Sequence, residues 1–443
     1  MSKKWCRAVT LAAVICLIAA GCSGGEGKTG EGNTDGQEMK LGQQTGQTQN
    51  QKQENKEPVT LHYFQNLMFT DEEFKLLVED PVKKKYPYIS FERSQGDLAK
   101  ILVGGQVPDI IQSHSGLLST YQSLGAASDL GELVKRNNLD LNRFEPAILN
   151  SLKDDKGRLL ALPYGINMTA LFYNKDIFDK QGVPYPKDGM TWEQVIELSK
   201  KVTFSEGGVK YRGLDPETLV RFSRVMAIDY VDGKTMKSTF NDPRWKTAFE
   251  TLKRIYTLPG NEPAKLGGNT GKDPFLKDKT VAMFATTNQI HAMVDASKEG
   301  LHWDVVQYPS FPGRENISTD VDAFVFEIPE TAKNKEAALK VIEVFTSDEV
   351  QKLLVSKTAR ISPLKDPMFK QAFASDIEGI QGKNISGIFK GKVVEAPVRT
   401  RYLQDAQKIA ESVFIEYAQD KMDTNTALRR ADEEINKFVA TQK

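Results

Sequence analysis

From Val59 to the C-terminus the chain repeats one rhythm, short strand-like runs with helical runs between most of them, and that alternation restricts it to layered α/β architectures. The run Val59 to Phe64 alternates with the two-residue period of a strand. Thr70, Asp71, Glu72 and Glu73 then form a capping-box signature in front of a helix whose apolar face carries Phe74, Leu77 and Val78. Further strands are predicted at 108–112, 170–173, 281–285, 303–308 and 323–328. A second capping box opens at Thr191, and Ala338, Val341, Ile342 and Phe345 keep the i, i+3, i+4, i+7 spacing of a later helix. Two apolar stripes, Ala406 to Tyr417 and Leu428 to Phe438, predict a pair of terminal helices. At 443 residues the chain exceeds one ordinary core, so two lobes are expected.

The first 58 residues follow different rules. Lys3, Lys4 and Arg7 precede an apolar run from Ala8 to Ala20, which reads as an export signal and is too short to span a bilayer. Ala19, Ala20, Gly21 and Cys22 resemble a bacterial lipobox, which implies cleavage behind Gly21 and lipidation of Cys22; an ordinary secretory peptide is the alternative. Cys6 and Cys16 lie in the removed segment, so the mature chain keeps a single cysteine and can form neither an internal disulfide nor a Cys-based zinc site. Between Ser23 and Glu57 the composition is Gly, Gln, Asn, Glu, Lys and Thr, with almost no apolar side chains. Such a segment acts as a coil with a reach of about 30–35 Å. The expected layout is a signal at 1–21, a tether at 22–57, and a globular body that is exported and held at the extracytoplasmic face of the cell membrane.

Composition and motifs narrow the chemistry. Fifty-nine Lys and Arg balance fifty-nine Asp and Glu without a concentrated basic block, which argues against nucleic acid as a partner. His62, His114, His291 and His302 form no H-E-x-x-H pair, there is no G-x-S-x-G elbow, and the loop 229–233 lacks the full calcium pattern. The stretch Cys22 to Thr29 imitates a phosphate-binding loop, but Cys22 stands where the first glycine belongs and no strand precedes it. Neither a catalytic constellation nor a cofactor or metal site is expected.

Other motifs, in order, carry a resemblance. Gly104 and Gly105 lead through Gln106 and Val107 to Pro108 and Asp109; Gly157 to Gly165 encloses Pro163; Tyr173, Asn174, Lys175 and Asp176 precede Phe178. Gly182-Val183-Pro184, Thr191-Trp192-Glu193, the run Phe275 to Phe284, the strand ending at Pro309 before Pro312-Gly313, and the helix 336–345 followed by Thr346 to Glu349 complete the series. Together these motifs resemble the bacterial extracellular solute-binding proteins of the sugar-binding family, and they cover nearly all of the body. The resemblance implies a two-lobed type II periplasmic-binding-protein fold with hinge crossings and a central cleft. The lobes are expected at 58–166 plus 321–365 and at 167–320 plus 366–443, crossing near 164–168, 318–323 and 362–367. It further implies a monomeric, non-enzymatic lipoprotein that captures a carbohydrate and delivers it to the membrane subunits of an ABC importer. An exported carbohydrate-active hydrolase and an adhesion lipoprotein without a small ligand are the alternatives.

Ligands of open α/β sheets collect beyond the carboxyl ends of strands, which nominates Gln65, Asn66, Ser113, His114 and Asn288. Sugar hydroxyls are bracketed by amides, carboxylates and guanidinium groups, and their C–H faces lie on rings. Asn167, Asp320, Asp322, Arg360, Tyr164 and Tyr402 have those properties near the crossings or the C-terminal helix. Trp192, Trp245 and Trp303 are expected to be structural.

Overall fold

The computed structural model describes residues 57–66 and 69–442. The expected export signal, the expected lipidation site Cys22 and the expected tether lie outside the described residues, apart from Glu57. Among the described residues twelve strands occur in chain order: β1 (Val59–Gln65), β2 (Ile89–Ser94), β3 (Ile110–His114), β4 (Leu162–Ile166), β5 (Thr169–Asn174), β6 (Phe204–Glu206), β7 (Val209–Tyr211), β8 (Met283–Thr287), β9 (Trp303–Gln307), β10 (Ile317–Asp320), β11 (Ala323–Glu327) and β12 (Lys392–Val394). They assemble as a five-stranded sheet ordered β2-β1-β3-β11-β4, a three-stranded sheet β8-β5-β9, a pair β10-β12 and the hairpin β6-β7. Each of the two larger sheets organises one α/β lobe, and both lobes belong to one compact unit spanning Lys56–Lys443.

In the first lobe β1 runs parallel to β2 and β3, while β11 inserts antiparallel between β3 and β4. Parallel strands need a crossover, supplied here by the helical stretch Asp71–Lys85 between β1 and β2 and by the helix Leu98–Val103 between β2 and β3. The Thr70 capping box forms as expected, with the Glu73 amide donating to Thr70 Oγ1 at 3.1 Å and the Thr70 amide to Glu73 Oε2 at 3.2 Å. Pro81 lies inside that stretch, directly after a π-turn at Lys75–Glu79. A π-turn already breaks the i to i−4 ladder, so the missing N–H of Pro81 costs little there.

The second lobe packs β5 antiparallel to both β8 and β9. Its buried core includes Trp192, Phe222, Trp245 and Phe249, joined by Ala410, Phe414 and Ile435 from the helices Leu403–Ala418 and Thr424–Thr441. Trp192, Trp245 and Trp303 are all buried, as their positions beside caps and strand starts predict.

The lobes connect where β4 passes into β5, where β10 passes into β11, and beyond Ile361. The short helix Pro367–Gln371 still packs with the first lobe, the Ala374 amide donates to the Val355 carbonyl, and Ser356 Oγ donates to Asp376 at 2.9 Å. Only from Lys383 and Asn384, bonded to Trp303 and Asp304, does the chain join the second lobe. A surface helix with one apolar face fits either side of a hinge, so the sequence pattern alone cannot place it.

Candidate functional site

Strand β3 ends at His114 and turns directly into a 3-10 turn, Ser115–Leu117, and the helix Leu118–Ser123. His114 shapes the turn by accepting at Nδ1 from the Gly116 amide at 3.2 Å. Gly116 must be small: a Cβ there would sit 2.9 Å from His114 Nδ1, and it would face Arg224 Nη2 of the other lobe at 3.8 Å. Burial, the largest influence, pushes the His114 imidazole pKa down despite the pull of Asp322.

Around this point an alternating chain of charges links the lobes. Glu217, at φ 69°, is held in the left-handed region by a hydrogen bond from its amide to Asp215 at 2.9 Å and by Tyr256, whose hydroxyl donates to the Glu217 carbonyl at 2.6 Å. Its carboxylate accepts from Thr286 Oγ1 at 2.8 Å and pairs with Arg221 at 2.7 Å. Arg221 lies 3.8 Å from Asp322, Asp322 lies 3.4 Å from Arg224, Arg224 pairs with Asp320 at 3.1 Å, and Asp320 pairs with Arg399 at 2.8 Å. Three guanidinium groups thus alternate with three carboxylates, all with little exposure. Burial lifts the Asp322 carboxyl, but Arg224, Arg221 and Arg399 outweigh it and bring it to about 2. Nearby Asp229 goes the other way: burial raises it to about 6, and its Oδ2 has no hydrogen-bond partner among the described residues.

The Arg399 end of the chain opens into a groove of about 450 Å³ between the lobes. One wall is the helical face Ser115, Leu118, Ser119 and Gln122, and the other comes from Gly233, Met236 and the segment 398–402. The volume suits a small polar molecule with some apolar surface.

His114, Asn167, Asp320 and Asp322 meet at this junction. The Asn167 amide nitrogen donates to Asp322 at 3.3 Å, and both aspartates carry the charge chain. Tyr402 lines the groove, its hydroxyl accepting from Arg401 at 2.9 Å. Gln65 borders a separate pocket beside Phe69, Thr70 and Arg93, and Asn66 donates to Tyr121 at 2.7 Å on the helix Leu118–Ser123.

Four expected contacts face elsewhere. Ser113 is buried and donates to Glu327 at 2.6 Å, on the opposite face of β3 from His114. Tyr164 is enclosed by Phe69, Phe324, Phe326 and Phe345, with its hydroxyl bonded to Gln112 at 2.9 Å. Asn288 donates to the Ala359 carbonyl at 2.6 Å and accepts from the Ile290 amide, tying a helix start to the other lobe. Arg360 pairs with Glu73 at 2.6 Å and lies over the Phe69 ring. Sequence reasoning missed Glu217, Arg221, Arg224 and Arg399. The i, i+4 spacing of Glu217 and Arg221 was the available signal, but such pairs are common on exposed helices as well.

Residues 78–352 match the family model described as bacterial extracellular solute-binding protein. A sn-glycerol-3-phosphate-binding periplasmic protein of Rhizobium meliloti is 25% identical over 224 residues, 47% of this chain and 50% of that relative. A galactooligosaccharide-binding protein of Bacillus subtilis is 21% identical over 300 residues, 65% of this chain and 68% of the relative. The chain spans about half the length of the glycerol-phosphate-binding relatives it matches. Among solved structures, an ABC substrate-binding protein from Listeria monocytogenes in complex with cycloalternan superimposes with TM-score 0.72 at 20% identity, covering 87% of this chain and 100% of the other. That likeness establishes the shared two-lobed fold.

Proposed function

The chain belongs to the bacterial extracellular solute-binding protein family, and from that premise we propose that it is the capture subunit of an ABC importer, taking an uncharged carbohydrate into the groove between its lobes. The observation that carries this reading is the compensated charge chain from Glu217 to Arg399, which opens into the groove at Arg399 and Ser115. Every arginine in it already faces a carboxylate. A phosphate dianion would have to displace an aspartate from a buried arginine, leaving that aspartate unpaired in a poorly solvated site, whereas a hydroxyl can share these groups as donor or acceptor. At the Arg399 end the charge balance therefore favours a neutral polyol over the glycerol phosphate named for the Rhizobium relative, while Lys153 and Arg401, which also line the groove, make no ion pair among the described residues.

Capture proceeds without a covalent step. Both lobes contribute to the groove wall, so a ligand gains its full set of contacts only when they are close together, and its binding free energy biases the hinge toward closure. The closed form is then what the importer's membrane subunits recognise. The protein works as a monomer anchored through lipidated Cys22, with the lobes divided as 58–166 plus 321–377 and 167–320 plus 378–443. Calorimetric titration with neutral mono- and oligosaccharides and, separately, with sn-glycerol-3-phosphate tests the reading. Binding of a neutral sugar with no heat from the phosphate is expected; tighter binding of the phosphate overturns it, and turnover of the sugar would indicate an exported hydrolase.

A further inference from the structure

Among the described residues only five large apolar side chains are strongly exposed, and two of them, Met236 at 40% and Val398 at 43%, line the same groove. Met236 is held there at a conformational cost. Its φ is 53°, a left-handed backbone that ordinarily calls for Gly or Asn. The turn that imposes it is firmly built: Asp232 Oδ1 accepts from the Thr235 amide at 2.7 Å and from its hydroxyl at 2.8 Å, and the Met236 amide donates to the Asp232 carbonyl at 2.9 Å. The same hairpin is pressed onto the 398 segment. A Cβ at Gly233 would lie 2.8 Å from the Val398 carbonyl oxygen and 3.1 Å from its Cγ1, so only glycine allows the approach. A strained, exposed methionine on a braced turn in a binding groove is not explained by folding, because a glycine or asparagine would serve the turn better.

Opposite this apolar pair runs the face Ser115, Leu118, Ser119 and Gln122. From Ser115, where the charge chain ends, to Gln122 a helical path rises about 10 Å. That distance exceeds one pyranose ring and suits two linked rings. Resting on the carbohydrate reading above, we propose that Met236 and Val398 form an apolar platform for the C–H face of a second sugar ring, while the first ring sits at the Arg399 end. The protein on this account selects disaccharides and longer chains over monosaccharides. A flexible thioether suits the purpose, since it adapts to a ring face without demanding one hydroxyl pattern.

The test is calorimetric titration of the purified protein with three series, each containing the monosaccharide, disaccharide and trisaccharide of glucose, mannose and galactose. Wild type is compared with Met236→Gly, which relieves the backbone while removing the side chain, and with the double variant carrying Val398→Ala as well. In the series that binds, the trisaccharide is expected to be about tenfold or more tighter than the monosaccharide, and the double variant to shrink that ratio to about threefold or less. Thermal unfolding of Met236→Gly alone is expected at or above the wild-type temperature, which separates lost contact from lost folding. Equal affinity for mono- and trisaccharide, or a length preference that survives in the double variant, overturns the platform while leaving carbohydrate capture intact. Silence across all three series in a folded protein overturns both.

Discussion

Arg399 Nη1 donates to Ser115 Oγ at 3.4 Å, and Ser119 Oγ donates back to the Arg399 carbonyl, so one residue of the second lobe is gripped twice by the helical start that follows β3. Arg399 also holds Asp320 at the hinge. Removing its side chain breaks the Ser115 and Asp320 contacts and leaves only the Ser119 bond to its carbonyl, which loosens the lobes at the groove floor. Arg399→Ala is expected to enlarge the radius of gyration seen by small-angle scattering and to weaken sugar binding about tenfold. Superimposable scattering curves with unaltered affinity would show that Arg399 is not a clasp.

Asp322 links this junction to acid sensitivity. Its carboxyl lies at about 2 in the folded protein, against about 3.9 in an unfolded chain. A depressed carboxyl contributes stability that is complete above about pH 4–5 and is lost as the pH falls through 2, here about 2–3 kcal/mol by linkage. Asp322→Asn should flatten this acid limb. At neutral pH it should cost about 3–5 kcal/mol, because Arg224 and Arg221 lose a buried partner. Urea unfolding at pH 7 and pH 3 checks both points; an equally steep acid limb in the variant contradicts the assignment.

Glu327 predicts the opposite trend. Fully buried, it accepts from Ser113, its Oε2 has no partner among the described residues, and burial pushes its carboxyl well above the usual range. The stability it allows is intact below the unfolded value of about 4.3 and is lost as the pH rises through the folded value. Glu327→Gln should therefore leave thermal stability at pH 4 nearly unchanged and raise the melting temperature at pH 8 by several degrees, about 2–4 °C per kcal/mol. No gain at pH 8 would count against a neutral Glu327.

Tyr164 and Arg360 serve as controls on the location of the cleft. Tyr164→Phe removes a core hydrogen bond and Arg360→Met strands Glu73, each costing about 1–3 kcal/mol of stability. Neither should change sugar affinity beyond about twofold, as neither side chain lines the groove. A tenfold loss of affinity in either variant, measured on folded protein, would relocate the site.

How much of this was legible beforehand depended on the range of the interaction. Capping boxes at Thr70 and Thr191 are local, and both formed as the sequence indicated. The six strands predicted from the sequence fall within about two residues of their positions, because a two-residue period is also local, whereas β2, β4, β6, β7, β10 and β12 were not predicted. Side-chain direction was not. Ser113 and His114 are neighbours at the end of one strand, yet the pleat sends one toward Glu327 and the other toward the cleft. Arg224 and Arg399 acquire their meaning through Asp320, and Arg224 through Asp322 as well, both distant in sequence. A buried tyrosine such as Tyr164 cannot be told from a stacking one until the surrounding phenylalanines are in place.

The insertion of β11 between β3 and β4 sets the order of assembly. Because residues 323–327 complete the middle of a sheet whose other strands end by residue 166, the leading half cannot close until most of the chain has been made. Such distant pairing slows folding and leaves strand edges open in the meantime. For a member of an extracellular protein family, delay is useful: a chain that cannot finish its first sheet early stays threadable through a narrow translocation channel.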